Sequence, residues 1–139
     1  MKKPIGYFIL PLFLVACDKQ KLISKKIDGE WNVVNYNQTN SEGITTKYSN
    51  CNGTIEFEAN SGIFAMDIFH QNNGLNDTIT ANGDFQLNEN GALIFFDNTV
   101  GLNLGSQGSY RILTLTKTDL QIEGGDTLGN INTYLFSRK

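Results

Sequence analysis

The chain has 139 residues, 14 acidic side chains against 11 basic ones and a net charge of -3. That fits a single domain and argues against a nucleic-acid binder, which needs a clustered basic face. One His and two Cys exclude a His-rich or four-cysteine metal centre, and any Ser-His-Asp or Cys-His site would have to use His70. The expectation is a non-enzyme without cofactor or metal.

In chain order, the first segment reads MKKPIGYFILPLFLVAC. Lys2 and Lys3 precede an apolar run from Ile5 to Ala16. The run is too short for a membrane span of roughly 20 residues, but it has the length and flanks of a signal-peptide core. It ends in Leu14-Val15-Ala16-Cys17, and polar Asp18-Lys19-Gln20-Lys21 follow at once. This ending resembles a bacterial lipobox. The resemblance implies cleavage before Cys17 and lipid on the sulfur and amine of that residue. Several acyl chains at ~0.8 kcal/mol per buried CH2 anchor durably, where one is marginal. An ordinary secretory signal that contains a Cys is the plainer alternative.

Residues 1–16 are thus assigned to a lipoprotein signal peptide, 17–26 to the lipidated N-terminus and a polar tether, and 27–139 to the folded domain. The expected location is a bacterial cell envelope, on a membrane, facing the periplasm or the cell surface. A helical turn is expected over Leu22 to Ile27. With Cys17 lipidated, Cys51 has no intrachain partner and reads as a small buried residue rather than a reactive thiol.

After Gly29 the pattern takes period two. Glu30 to Gln38 carries Trp31 and Val33 on one face, with Val34 and Tyr36 on the other. Thr54 to Ala59 points Ile55, Phe57 and Ala59 inward and Thr54, Glu56 and Glu58 to water. Ile63 to His70 places Phe64, Met66 and Ile68 on one face. Asp77 to Leu87 does the same with Ile79, Ala81, Gly83, Phe85 and Leu87. Ala92 to Asp97 is apolar on both faces, so periodicity does not assign its inner side. Ser109 to Thr116, Asp119 to Gly124 and Ile131 to Arg138 complete the set.

Asn-Gly pairs beginning at Asn52, Asn73, Asn82 and Asn90 supply residues that tolerate positive φ. Long loops are expected over Asn37 to Asn52, Gln71 to Asn76 and Asp97 to Gly108. No long window after Cys17 shows clear helical periodicity. The expected fold is all-β, an eight-stranded antiparallel meander that closes into a barrel and so removes its exposed edges.

Gly29-Glu30-Trp31 opens the first strand and Tyr134-Leu135-Phe136-Ser137-Arg138 closes the last. Between them stand Gly53-Thr54-Ile55-Glu56-Phe57, Gly83-Asp84-Phe85-Gln86-Leu87 before Asn90-Gly91, and Tyr110-Arg111-Ile112-Leu113-Thr114-Leu115-Thr116 with Leu120-Gln121-Ile122. In order and spacing these motifs resemble the lipocalin-like (calycin-type) families of bacterial lipoproteins, over Ile27 to Lys139. The resemblance implies that Trp31 plugs the closed end of the barrel, that Arg138 lies across its indole, and that Gly29 lets the backbone turn into the strand. A flanking helix and a disulfide, usual in lipocalins, are not evident in the chain.

Phe57, Phe64, Met66, Phe85, Tyr110 and Tyr134 are the candidate lining of an apolar cavity; the plainer alternative is that they fill the core. Two functions follow. One is a membrane-anchored binder of a small hydrophobic ligand, because barrel mouths are common ligand sites. The other is an envelope interaction or structural lipoprotein, inhibitor-like, with a filled barrel and a protein partner at its polar loops.

His70 reads as an exposed or capping residue at the edge of the third strand, without a nucleophile or orienting carboxylate. Glu56 and Glu58 form a solvated stripe. Asp77 with Asp84, or Asp126 with Asn130 and Asn132, match no EF-hand spacing. Asp77-Thr78-Ile79 and Asp126-Thr127-Leu128 resemble a bacterial O-glycosylation acceptor, which would place sugar on Thr78 and Thr127.

Overall fold

The computed structural model describes residues 12–100 and 108–139. The signal segment through residue 11, the connection 101–107 and the side chain of Cys17 lie outside the described residues. Helix α1 spans Leu12–Ile27. Eight strands follow: β1 Gly29–Thr39, β2 Thr45–Glu58, β3 Ile63–Asn72, β4 Leu75–Leu87, β5 Leu93–Val100, β6 Gly108–Leu115, β7 Asp119–Gly125 and β8 Ile131–Arg138. Each pairs antiparallel with the next, and β8 returns to β1 to close a barrel.

Alternating burial drives this closure. Phe64, Met66 and Ile68 are buried while Ala65 and Asp67 between them face water. Ile55, Phe57, Ala81 and Phe85 follow the same rule on β2 and β4. The side of β5 that periodicity left open is settled by its neighbours. Ile94 and Phe96 point inward, and Phe95 stands half exposed outside.

Three expectations are corrected. Strict alternation on β1 sets Tyr36 on the face of Val34, opposite Trp31 and Val33. The register of β1 shifts against both β2 and β8 around Val33 to Tyr36. One extra residue at this bulge keeps Val34 outside and brings Tyr36 into the barrel with Trp31 and Val33.

The expected loops at Asn37 to Asn52 and Gln71 to Asn76 are largely paired strand. Asn40 Oδ1 accepts the backbone N–H groups of Glu42 and Ile44, at 3.0 and 2.9 Å, and so forms the β1–β2 turn. Asn73 and Gly74, with φ of 50° and 79°, make a two-residue turn between β3 and β4. Polar composition here marked solvated hairpin arms, not unpaired chain.

The expected polar tether is helical through Ile27 and touches the barrel. Gln20 Nε2 donates to Leu87 O at 3.0 Å. Ile23 lies against Gly91, where the close contact and a φ of 67° both favour glycine. The helical turn expected over Leu22 to Ile27 is the last part of this longer helix.

The closed end joins three elements. Trp31 is fully buried and donates from Nε1 to Ile27 O at 2.8 Å. Arg138 Cζ stands 4.0 Å from the Trp31 ring centroid, a cation–π contact worth ~0.5–2 kcal/mol. Its guanidinium also donates to Asp28 O and Lys26 O, satisfying carbonyls at the helix end. Gly29, at φ 105°, leaves the helix beneath that guanidinium. Trp31→Ala is expected to cost ~3–5 kcal/mol. Urea unfolding measures it, and an unchanged midpoint would remove the indole from its central role.

Candidate functional site at the open end of the barrel

Among the described residues, aromatic side chains pack the interior below the mouth. Phe57 and Phe85 meet edge to face at 5.1 Å, and Phe64 lies 4.6 Å from Phe96. The void among Phe64, Met66, Tyr110 and Tyr134 is about 10 Å³, at most one water. Of the six candidate lining residues, these four share that void. Phe57 and Phe85 lie outside it in the packed core, and all six are buried.

A larger pocket of about 360 Å³ opens where β1, β2, β3, β4, β7 and β8 end. Tyr110 and Tyr134 reach it from below. Its other walls include Tyr36, Gln38, Tyr48, His70, Asp77, Asp126 and Asn132. A second crevice of about 350 Å³ lies beside helix α1, between Gln20, Lys21, Ser24 and the β4 residues Phe85, Gln86 and Leu87.

Strand register builds the mouth. Tyr36 stands directly opposite Tyr48 on β2 and opposite Tyr134 on β8. The three rings stack nearly parallel, with centroids 4.6 and 4.7 Å apart. Offset stacking of this kind adds about 0.5–1.5 kcal/mol per pair beyond burial. His70 is 4% exposed, which corrects the expectation of an exposed or capping histidine. It continues the inward face of Phe64, Met66 and Ile68, and its ring tilts against Tyr48 at 4.6 Å and Tyr36 at 5.1 Å.

Polar groups crown the tyrosines. Tyr48 Oη donates to Gln38 Oε1 at 3.1 Å, and Gln38 Nε2 donates to Asn132 Oδ1 at 3.1 Å. Tyr36 Oη donates to the same Asn132 oxygen at 2.9 Å. Asn132 Nδ2 reaches Asp126 Oδ2 at 3.4 Å. Burial raises the Asp126 carboxyl, but donors from Asn130, Leu128 and Asn132 outweigh it and hold the group below 3.8. Burial pushes the Tyr36, Tyr110 and Tyr134 phenols well above 10, so all three stay protonated.

His70 Nε2 lies 3.9 Å from Asp77 Oδ2, and His70 Nδ1 is buried without a partner. Burial lowers the imidazole below 6.5, and the Asp77 charge offsets only part of this. The ring is neutral at pH 7.

Among the described residues no cluster of three or more His, Cys, Asp or Glu side chains can hold a metal. Asn130 turns its amide N–H toward Asp126, the wrong polarity for a shared cation. Thr78 and Thr127 are both exposed at this end. Cys51 is half-buried rather than fully buried, and desolvation raises its thiol.

Sequence reading missed Tyr36, Tyr48 and the inward histidine. A turn centred between Asn40 and Ile44 sets Tyr36 and Tyr48 equally far from it, and that symmetry would have paired them.

The buried neutral histidine makes stability depend on pH. The unfolded chain protonates near 6.5 while the folded ring resists, so protons favour unfolding as pH falls through that value. Thermal melts from about pH 8 to about pH 5 should show stability falling below about 6.5. His70→Gln should flatten that slope; an unchanged slope would show that another group causes it.

A family model described as a lipocalin-like domain matches residues 27–122. Bovine odorant-binding protein, solved with a selenium-containing odorant, is 20% identical over 84% of this chain and 75% of its own, with a TM-score of 0.51. The bovine lipocalin allergen Bos d 2 is 14% identical over 84% of this chain and 75% of its own, at 0.50. A de novo designed fluorescence-activating β-barrel is 11% identical over 84% of this chain and 96% of its own, at 0.52. No curated protein matches the chain as a relative. At these identities the solved structures share the fold alone, while the family model spans most of the barrel. With its meander order, closed sheet and Trp31–Arg138 plug, the chain belongs to the lipocalin-like (calycin) family.

Proposed function

We propose that this protein is a lipid-anchored lipoprotein of the cell envelope whose barrel binds a small, ring-bearing ligand at its open mouth. The observation that carries the reading is a tyrosine-walled pocket of about 360 Å³ above an aromatic core in which the void among Phe64, Met66, Tyr110 and Tyr134 is about 10 Å³. Ligand pockets run from about 300 Å³ upward. The void described below the mouth is too small for an acyl chain, so the hydrophobic part of the ligand is compact and meets the rims of the stacked rings.

The anchor rests on the motif Leu14-Val15-Ala16-Cys17. Cys17 falls within α1, on the same helix as Ile23, which touches Gly91 at the closed end. At about 1.5 Å rise per residue, lipid on Cys17 would hold the closed end beside the bilayer, with the mouth turned away. A second reading, a docking lipoprotein, draws on Ile44, Leu75 and Leu128. Each is at least 60% exposed near a hairpin end around the mouth.

Two measurements test the proposal. Wild-type protein extracted from membranes should carry the mass of fatty acyl chains, and Cys17→Ala should lose both that mass and the membrane. Anilinonaphthalene sulfonate fluorescence should rise with the folded barrel, be displaced by small ring compounds, and weaken about tenfold in Tyr48→Ala. A panel that leaves the dye in place, with a stoichiometric protein co-purifying, would establish the second reading instead.

A further inference from the structure

We propose that the outward face of helix α1 is a membrane-contact surface, which lays four lysines on the anionic phosphate headgroups of the bilayer and sets Leu22 among them. The proposal rests on the lipid-anchor reading and adds how the anchored domain sits.

The first observation is where the helix runs. At its end, the Ile27 carbonyl accepts from Trp31 near the start of β1. About two turns earlier, Gln20 donates to Leu87 at the end of β4, and Ile23 lies against Gly91 in the β4–β5 turn. In a closed ring of eight strands, β1 and the β4–β5 turn stand on opposite sides. The helix therefore crosses the closed end of the barrel, and its outward face is the base of the domain.

The second is how its side chains sort. At 3.6 residues per turn, Gln20, Ile23, Ser24 and Ile27 share one side, the side that meets the barrel. The other side carries Lys19, Leu22, Lys25 and Lys26, with Lys21 at the border over the crevice beside β4. All four lysines are exposed, and Leu22 is 60% exposed. A leucine there gains little from burial against the protein. On a bilayer it reaches the boundary between headgroups and acyl chains, as the apolar residues of interfacial helices do. No described helix is long and apolar enough to cross a membrane, so this one lies along the surface.

The third is charge. From Lys19 to Ile27 the sequence KQKLISKKI holds four lysines and no acid; Asp18 stands just before it. Lys25 and Lys26 also complement the negative end of the helix dipole, but Lys19 and Lys21 lie too far from that end to do so. Among the described residues, none of the four takes part in an ion pair. The carboxylates of this end have other partners: Glu30 pairs with Lys139, Asp28 accepts from the Ala59 N–H, and Asp119 accepts from Thr118. Glu89 is exposed on the β4–β5 turn, off the helix face. Lysine clusters of this size on an amphipathic helix bind anionic headgroups, and a basic patch strengthens what an acyl chain anchors.

The test compares lysine reactivity on two membranes. Protein extracted in detergent is reconstituted into vesicles of phosphatidylcholine, alone or mixed with phosphatidylglycerol. Acetylation of each lysine is followed by mass spectrometry. Lys19, Lys21, Lys25 and Lys26 should react at least about threefold more slowly on the mixed vesicles, and high salt should abolish the difference. Lys47, exposed near the mouth, should react alike on both. Lys25→Glu with Lys26→Glu should release Lys19 and Lys21 from protection. Lys25→Arg with Lys26→Arg should keep them protected, which separates charge from the helix itself.

Protein that carries acyl mass and floats with both vesicles, yet shows equal rates at the four lysines, overturns the contact face and leaves the anchor. Protein that lacks acyl mass and floats only with the mixed vesicles supports the face and removes the anchor. Flotation with neither removes both.

Discussion

Arg138 is the last side chain of the last strand, and it lies over Trp31 on the first. The contact is made at 4.0 Å, and the same guanidinium binds the carbonyls of Lys26 and Asp28. One side chain therefore ties β8 to β1 and both to helix α1. A planar fork suits this task, because it covers an indole with its face while donating from its rim. Gly29 leaves the space it occupies. Closure at this seam turns a meander with two open edges into a barrel with none.

The mouth depends on the same seam. Tyr134 on β8 and Tyr36 on β1 stack across it, and the Tyr36–Asn132 hydrogen bond crosses it as well. The bulge near Val34 sits between the two ends of β1. Below it Trp31 and Val33 serve the core, and above it Tyr36 serves the mouth. One inserted residue thus changes what the strand contributes from plug to the wall of the mouth. The barrel grades from apolar packing at the helix to hydrogen-bonded aromatic groups at the rim. Polar atoms are tolerated in the upper layer because they satisfy one another. Among the described residues His70 Nδ1 and Asn37 Oδ1 are the exceptions, buried atoms with no partner.

Much of the fold was legible from period-two patterning. β2, β3 and β4 show it cleanly, since Phe64, Met66 and Ile68 or Ala81 and Phe85 recur on one face while polar neighbours face water. The closed end was legible only through the family resemblance carried by Gly29-Glu30-Trp31 and Arg138, which stand at opposite ends of the domain. The mouth was much less legible. Tyr110 and Tyr134 were anticipated as lining, but Tyr36 was hidden by a bulge and Tyr48 by polar neighbours that read as loop. His70 was judged by the residues after it rather than by the inward face before it.

The closing pair Trp31 and Arg138 was legible only through the family resemblance; by itself the sequence determined an all-β meander, its strand count and the inward faces of its regular strands. These follow from local alternation and turn chemistry, which act over a few residues. Only the tertiary structure decided which side of β5 faces in, that Tyr36 points into the barrel, and that residues before Ile27 fold back as a helix on the closed end. It also decided that the described aromatic side chains pack the core below an open mouth. Those outcomes depend on how strands pair in register and how side-chain volumes fit across the barrel. The atoms that meet there are distant along the chain, as Tyr36 and Asn132 are.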